Sequence, residues 1–100
     1  MGASSYIVYA KRTPIGKFNG SLASVPAPKL GAILVKDAME QLKVDPEKVD
    51  EIIMGQVLTG GVGQAPARQT AIYGGLPSSV CASTINKVCG SRLKSVMRSE

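Results

Sequence analysis

Three short runs rich in β-branched residues alternate along the chain with three stretches of helical periodicity, and glycine, proline or turn residues separate most of them. The order strand, helix, strand, helix, strand, helix predicts an α/β domain, a parallel sheet flanked by helices with right-handed crossovers. The first run, SYIVYA (Ser5–Ala10), leads into KRTPIGKFNGS, where Pro14, Gly16 and Gly20 interrupt regular structure. PKLGAILVKDAMEQLK then sets Leu30, Ile33, Leu34, Ala38 and Leu42 at helical spacing behind Pro28. Lys36, Asp37, Glu40 and Lys43 stay off that stripe, which predicts an amphipathic helix.

At Asp45 and Pro46 a turn is expected, the aspartate capping a short helical turn that opens on proline. EIIMGQVL follows as the second strand, marked by Ile52, Ile53, Val57 and Leu58, and TGGVGQ as a glycine-rich loop. Pro66 opens a second helix that Gly74, Gly75 and Pro77 stop. Ser79–Ile85 reads as the third strand, and CGSRLKSVM starts a third helix with Leu93, Val96 and Met97 on one face. At 100 residues this is one domain or part of one. With no Trp and a single Phe, aliphatic side chains and alanine must fill its core. No internal repeat or low-complexity tract interrupts it.

Twelve Lys and Arg against seven Asp and Glu give a net charge of +5, which favours a phosphate-bearing partner through long-range attraction. The basic residues are scattered and lack interleaved aromatics, so nucleic acid is not an expected partner. MGASSYIVYAKRTP has neither the basic segment nor the apolar segment of a secretory leader, and no run approaches the ~18 apolar residues of a membrane span. The expectation is a cytoplasmic protein, in a reducing compartment, with no membrane partner.

The glycine loop TGGVGQAPA stands after a strand and before a helix, where phosphate-binding loops occur. It lacks both the Lys-Ser/Thr pair of a P-loop and the dinucleotide fingerprint. A tight turn that brings Gln64 and Arg68 toward another group is the better expectation. The sequence has no histidine, and Cys81 and Cys89, eight positions apart, do not have the short paired spacing of zinc modules, so no metal site is expected. A disulfide between them does not suit a reducing compartment. Cys81, inside an expected buried strand, reads as a small hydrophobe. Cys89 falls at a strand-to-helix junction, where free backbone N–H groups and the positive end of the helix dipole favour a thiolate, and could hold an oxyanion formed on a thioester carbonyl. Gly90 leaves room for a substrate beside it. From position alone, a packing cysteine and a reactive one remain equally admissible.

RTPIGKFNGSL (Arg12–Leu22), GQAPARQ (Gly63–Gln69) and STINKVCGS (Ser83–Ser91), in this order and spacing, resemble the amino-terminal part of the thiolases, and of the acetyl-CoA acetyltransferases in particular. The resemblance runs from about Tyr6 to Met97, and NKVCGS is its most specific part. It implies that Cys89 is the nucleophile that takes an acyl group from one acyl-CoA as a thioester, before a second acetyl-CoA, deprotonated at its α-carbon, attacks it. Thiolytic cleavage of a 3-ketoacyl-CoA is the reverse. Coenzyme A thioesters are then the substrates, with no cofactor, metal or prosthetic group, and full-length members are expected to be homo-oligomers. The implied fold is the opening βαβαβα part of the first half of a layered αβαβα architecture. The resemblance also implies that residues 1–100 are a partial amino-terminal domain, truncated before the remaining strands, the loop domain and the carboxy-terminal half.

Two departures from the family pattern carry expectations of their own. Arg92 stands where the family usually has a small residue in a buried helix, so either it finds an acidic or carbonyl partner or this helix is packed differently. The sequence also ends before the family's GHP-type histidine motif and CxGGG-type cysteine, which supply the base and the acid. The isolated chain is therefore expected to be inactive as a thiolase. The alternative is a non-catalytic product that associates with full-length thiolase subunits through an exposed Leu93, Val96 and Met97 face.

Overall fold

The computed structural model describes residues 4–99. Helix α1 (Ala27–Leu42) leads through a single 3-10 turn (Pro46–Lys48) into strand β1 (Glu51–Gly55). Helix α2 (Pro66–Tyr73) connects to strand β2 (Cys81–Ile85), and helix α3 (Ser91–Arg98) follows. β1 and β2 are parallel, paired from Glu51 opposite Cys81 to Gly55 opposite Ile85. Parallel neighbours need a connection that returns over a face of the sheet, and α2 supplies it. The α/β class holds, and the Asp45 turn forms as expected, its side chain accepting the Glu47 N–H at 3.0 Å.

Side chains alternate across the sheet, and this alternation separates two helical layers. Ile52, Met54 and Thr84 face α2: Met54 Sδ lies 2.7 Å from Thr70 Oγ1, and Thr84 Oγ1 accepts the Ala67 N–H at 3.0 Å. Gly55 faces the other way, against the first turn of α3. α1 packs on the outside of α2. Ala71, Leu76 and Val80 are buried at the centre with Val35, Met39, Val49 and Ile52 around them. This is the small-residue aliphatic core that the composition implies, and burying Leu76 or Val80 contributes about 1.5–3 kcal/mol each.

The contact face of α1 differs from the expected stripe. Pro28 and Ala32 are buried and Val35 and Met39 pack on the core, whereas Ile33 is 56% exposed. The partner surface decides this. A Cβ on Gly31 would lie 2.9 Å from Thr70 Cγ2, and one on Gly74 would lie 2.7 Å from Val35 Cγ1, so the two helices meet where both present little side chain. Leu30, Ile33 and Leu34 instead line a groove with Thr13, Pro14 and Leu22 of the amino-terminal segment.

The expected strand Ser5–Ala10 does not form; the segment has no regular structure, and Tyr6, Ile7 and Val8 are 82%, 82% and 70% exposed. β-branched and aromatic residues favour a strand only when a pleated, half-buried surface receives them, and among the described residues β1 pairs with β2 alone. The segment is held by side chains: Tyr9 Oη donates to Asp37 Oδ2 at 2.6 Å and Lys11 Nζ to the same oxygen at 3.1 Å.

That clamp titrates at both ends. The Tyr9 hydrogen bond, then Lys11, holds the Asp37 carboxyl below its ordinary 3.8, and the bond to Asp37 raises the Tyr9 phenol to about 12. Asp37 with a depressed value stabilises the folded state above its unfolded value and loses that contribution as pH falls below about 4. Tyr9, with a raised value, contributes below 10 and loses it as pH rises toward 12. Ultraviolet titration of the parent chain should show one phenol ionising near pH 12. Tyr9→Phe should remove it, and Asp37→Asn should return it toward 10.

Candidate active site

β2 ends at Ile85 and α3 begins at Ser91, so the thiol of Cys89 hangs on a five-residue turn between the carboxyl end of a strand and the amino end of a helix. Cys89 is exposed and unpaired by any disulfide. The first bond of the helical ladder runs from Lys94 N–H to Gly90 C=O, leaving the preceding N–H groups outside the ladder. Gly90 itself is not forced on the chain: a Cβ there would meet nothing closer than 3.6 Å, so the space above it is open.

The turn is built by short polar side chains. Asn86 Oδ1 accepts the Val88 N–H at 2.9 Å while its Nδ2 donates to the Val57 carbonyl at 3.2 Å. Ser91 Oγ accepts the Lys87 N–H at 2.8 Å and donates to the Val88 carbonyl at 2.7 Å. Gly90 and Ser91 N–H close back on the carbonyls of Lys87 and Val88. Between these bonds Val88 sits at φ +48°, a left-handed conformation that costs a β-branched residue about 1–3 kcal/mol. Sequence reasoning located the cysteine and missed both clamps, although Asn and Ser within three residues of a turn are the types that bond local backbone.

Beneath the turn lies an unusually close contact. A Cβ on Gly55 would fall 2.5 Å from the carbonyl carbon and oxygen of Ser91 and 2.7 Å from the Arg92 nitrogen. Only small residues fit the face that meets the sheet, and Ser91 and Ser95 are buried there, Ser95 Oγ donating to Ser91 C=O at 3.0 Å. Leu93, Val96 and Met97 consequently point outward, 67%, 59% and 61% exposed. Arg92 is exposed too, without an acidic partner among the described ion pairs.

Next to Gly55, Gln56 is 8% exposed; its Nε2 donates to Leu58 C=O, and its Oε1 is the buried side-chain oxygen without a partner among the described residues. An unmet buried acceptor costs about 1–3 kcal/mol, which a donor brought to it would relieve. The other residues of interest serve the fold. Arg68 donates to Val80 and Ser78 carbonyls at 2.9 and 2.7 Å, and Gln69 Nε2 to Val62 and Gln64 carbonyls at 2.7 and 2.8 Å. The glycine loop, with Gly61 and Gly63 at φ +75° and +83°, is thereby pinned to α2. Cys81, expected to be buried, is exposed; it is the first residue of β2, paired with Glu51. Among the described residues no group of three or more His, Cys, Asp or Glu is placed to hold a metal, and no helix is long and apolar enough to cross a membrane.

Gly55→Ala should lower stability by about 1–3 kcal/mol, since the atoms it meets are backbone that cannot rotate away. Urea unfolding of parent and variant measures it. Gly90→Ala, with only ordinary contacts around its Cβ, should stay within about 0.5 kcal/mol of the parent.

The model of the thiolase amino-terminal domain matches residues 5–100. An acetyl-CoA acetyltransferase of Cupriavidus necator is 65% identical over 91 residues, covering 91% of this chain and 23% of that protein. One of Escherichia coli is 59% identical over 90% of this chain and 23% of its own length. A mitochondrial acetyl-CoA acetyltransferase of Gibberella zeae is 59% identical over 92% of this chain and 21% of its own. The chain thus spans between a fifth and a quarter of the length of the relatives it matches. With the Cys89 turn, the parallel sheet and this match in place, the chain belongs to the thiolase family, within whose amino-terminal domain its match lies.

Proposed function

We propose that this chain carries the acyl-accepting half of an acetyl-CoA acetyltransferase reaction, with Cys89 as the nucleophile. The observation that carries this reading is the exposed Cys89 thiol on a braced turn at the amino end of α3. In the proposed step the Cys89 sulfur, as thiolate, attacks the carbonyl carbon of an acyl-CoA. The carbonyl oxygen takes up negative charge, for which this reading requires backbone N–H groups near the helix start other than those of Gly90 and Ser91, which are bonded within the turn, and the C–S bond to coenzyme A breaks as its thiolate leaves. The cysteine keeps the acyl group as a thioester. Lys87, Arg92 and Lys94 flank the turn in sequence and add to the +5 charge that draws a phosphate-rich substrate. Coenzyme A thioesters are substrates in this scheme, and no separate cofactor takes part.

Condensation with a second acetyl-CoA, or thiolysis in reverse, requires a base at the α-carbon and an acid for the leaving thiol. These 100 residues include no histidine, and we assign to them acyl uptake alone. Incubation with acetyl-CoA followed by peptide mapping should find one acetyl group on Cys89. Cys89→Ser should reduce labelling about 100-fold or more, while Cys81→Ser leaves it unchanged. An acetyl group on Cys81, or none on either cysteine, would sink the assignment. Turnover of acetoacetyl-CoA by the 100-residue chain should be undetectable.

The outward Leu93, Val96 and Met97, of which Val96 lines a groove with Tyr6 and Ile7, favour a second reading: association with other thiolase-family subunits through this apolar face. Co-elution with a full-length acetyl-CoA acetyltransferase, lost in Val96→Lys, is its test. A monomer indifferent to that protein removes it.

A further inference from the structure

We propose that Asn86 and Ser91 are positioning residues that hold Val88 in its left-handed conformation, and that this hold sets how fast the Cys89 thiol takes an electrophile. The inference rests on the reading of Cys89 as the acyl acceptor and adds to it the residues that aim the sulfur.

A residue's φ and ψ are fixed once the peptide planes on either side of it are fixed. Around Val88 each plane has a side-chain anchor beside a backbone one, the Gly90 N–H on the Lys87 carbonyl at 3.0 Å and the Ser91 N–H on the Val88 carbonyl at 3.2 Å. The preceding plane carries the Val88 N–H, which Asn86 Oδ1 accepts at 2.9 Å; the following plane carries the Val88 carbonyl, which receives Ser91 Oγ–H at 2.7 Å. Valine has no preference of its own for φ +48°, and a left-handed β-branched residue is an outlier that persists only where its surroundings over-determine it. With either side-chain bond lost, the longer backbone bond is the remaining hold on that plane, and the strained Val88 shifts part of its population toward the right-handed or extended regions. Rotation there swings the following residue, Cys89, away from the amino end of α3.

Both anchors are tied to the sheet rather than to the turn alone. Asn86 Nδ2 reaches back to the carbonyl of Val57, beyond the end of β1. Ser91 is 2% exposed, wedged by its backbone against Gly55, and accepts Lys87 N–H on the same oxygen that it uses to donate. Cys89 therefore inherits its placement from the ends of both strands. Neither anchor touches a reacting atom.

The test uses the whole 100-residue chain and reads two thiols at once. Iodoacetamide is added at pH 7.5, and peptide mapping gives separate alkylation rates for Cys89 and Cys81, the latter exposed on the sheet edge as an internal reference. Asn86→Ala and Ser91→Ala should each slow Cys89 about fivefold or more and leave Cys81 within twofold. Asn86→Ser, whose hydroxyl makes the same turn bond more weakly, should recover part of the loss, giving the order Asn, Ser, Ala. A general loosening of the fold would instead change both thiols together and would not follow that order. If Ser91→Ala, at a buried site, fails to fold, the Asn86 series on an exposed side chain decides the matter alone. Cys89 rates within twofold of the parent in both alanine variants overturn the proposal. Acetyl-CoA labelling in parallel separates the two readings. The graded Asn86 effect on alkylation with no acetyl group on Cys89 leaves the positioning intact and defeats the acyl-transfer assignment, whereas acetylation indifferent to Asn86 and Ser91 does the reverse.

Discussion

The first turn of α3 rests directly on the backbone of β1 at Gly55, and much of what surrounds Cys89 follows from that contact. With a hypothetical Cβ only 2.5 Å from the Ser91 carbonyl, neither surface has room for a side chain of any length. The helix must therefore present small residues to the sheet, and it presents Ser91 and Ser95. A buried hydroxyl has to find partners, because leaving it unmet costs more than the bond contributes. Ser95 finds the Ser91 carbonyl, and Ser91 finds Lys87 and Val88. The bonds that shape the cysteine turn are thus the way a close-packed serine satisfies its own oxygen. The same contact sends the longer apolar residues of α3 outward.

Local signals in the sequence were enough for α1, the capped turn at Asp45, the proline-opened α2, β2 and the start of α3, since each depends on residues a few positions apart. The strand expected at Ser5–Ala10 needed a neighbour distant in sequence, and composition alone does not supply one. On α1, the expected series Leu30, Ile33, Leu34, Ala38, Leu42 and the observed series Pro28, Ala32, Val35, Met39 both obey helical spacing. Shape made the choice: Gly31 and Gly74 permit a close crossing, and the larger leucines turned toward the amino-terminal segment. Cys81 illustrates the same limit, because period-2 patterning assigns a face and says nothing of whether a helix covers it at that point along the strand.

The motifs that mark the family divide into one spent on fold support and one that leaves a thiol exposed. Within GQAPARQ, Arg68 ties the turn before β2 to α2, and Gln69 ties the glycine loop to the same helix. Ala67 N–H reaches across to Thr84 on β2. Every one of these groups is occupied inside the chain, so a motif that looked poised toward a ligand instead fixes the crossover that sets β1 beside β2. NKVCGS differs in kind: its asparagine and serine are spent on the turn, and its cysteine is exposed and outside any disulfide.

This division bears on how a thiolase-type reaction can be partitioned. The geometry of the Cys89 thiol, the proposed nucleophile, is local, set by side chains within three residues of it and by the ends of two adjacent strands. Proton handling has no such local basis here. The sequence has no histidine, Asp37 is engaged by Tyr9 and Lys11 on α1, and Glu51 accepts from Ser83 on the sheet. A carboxylate held by donors is a weak base, and a base must reach the proton it removes before its strength matters. On this reading acyl uptake and carbon–carbon bond formation are physically separable events, one built by the turn in this domain and the other requiring groups that converge on it from elsewhere.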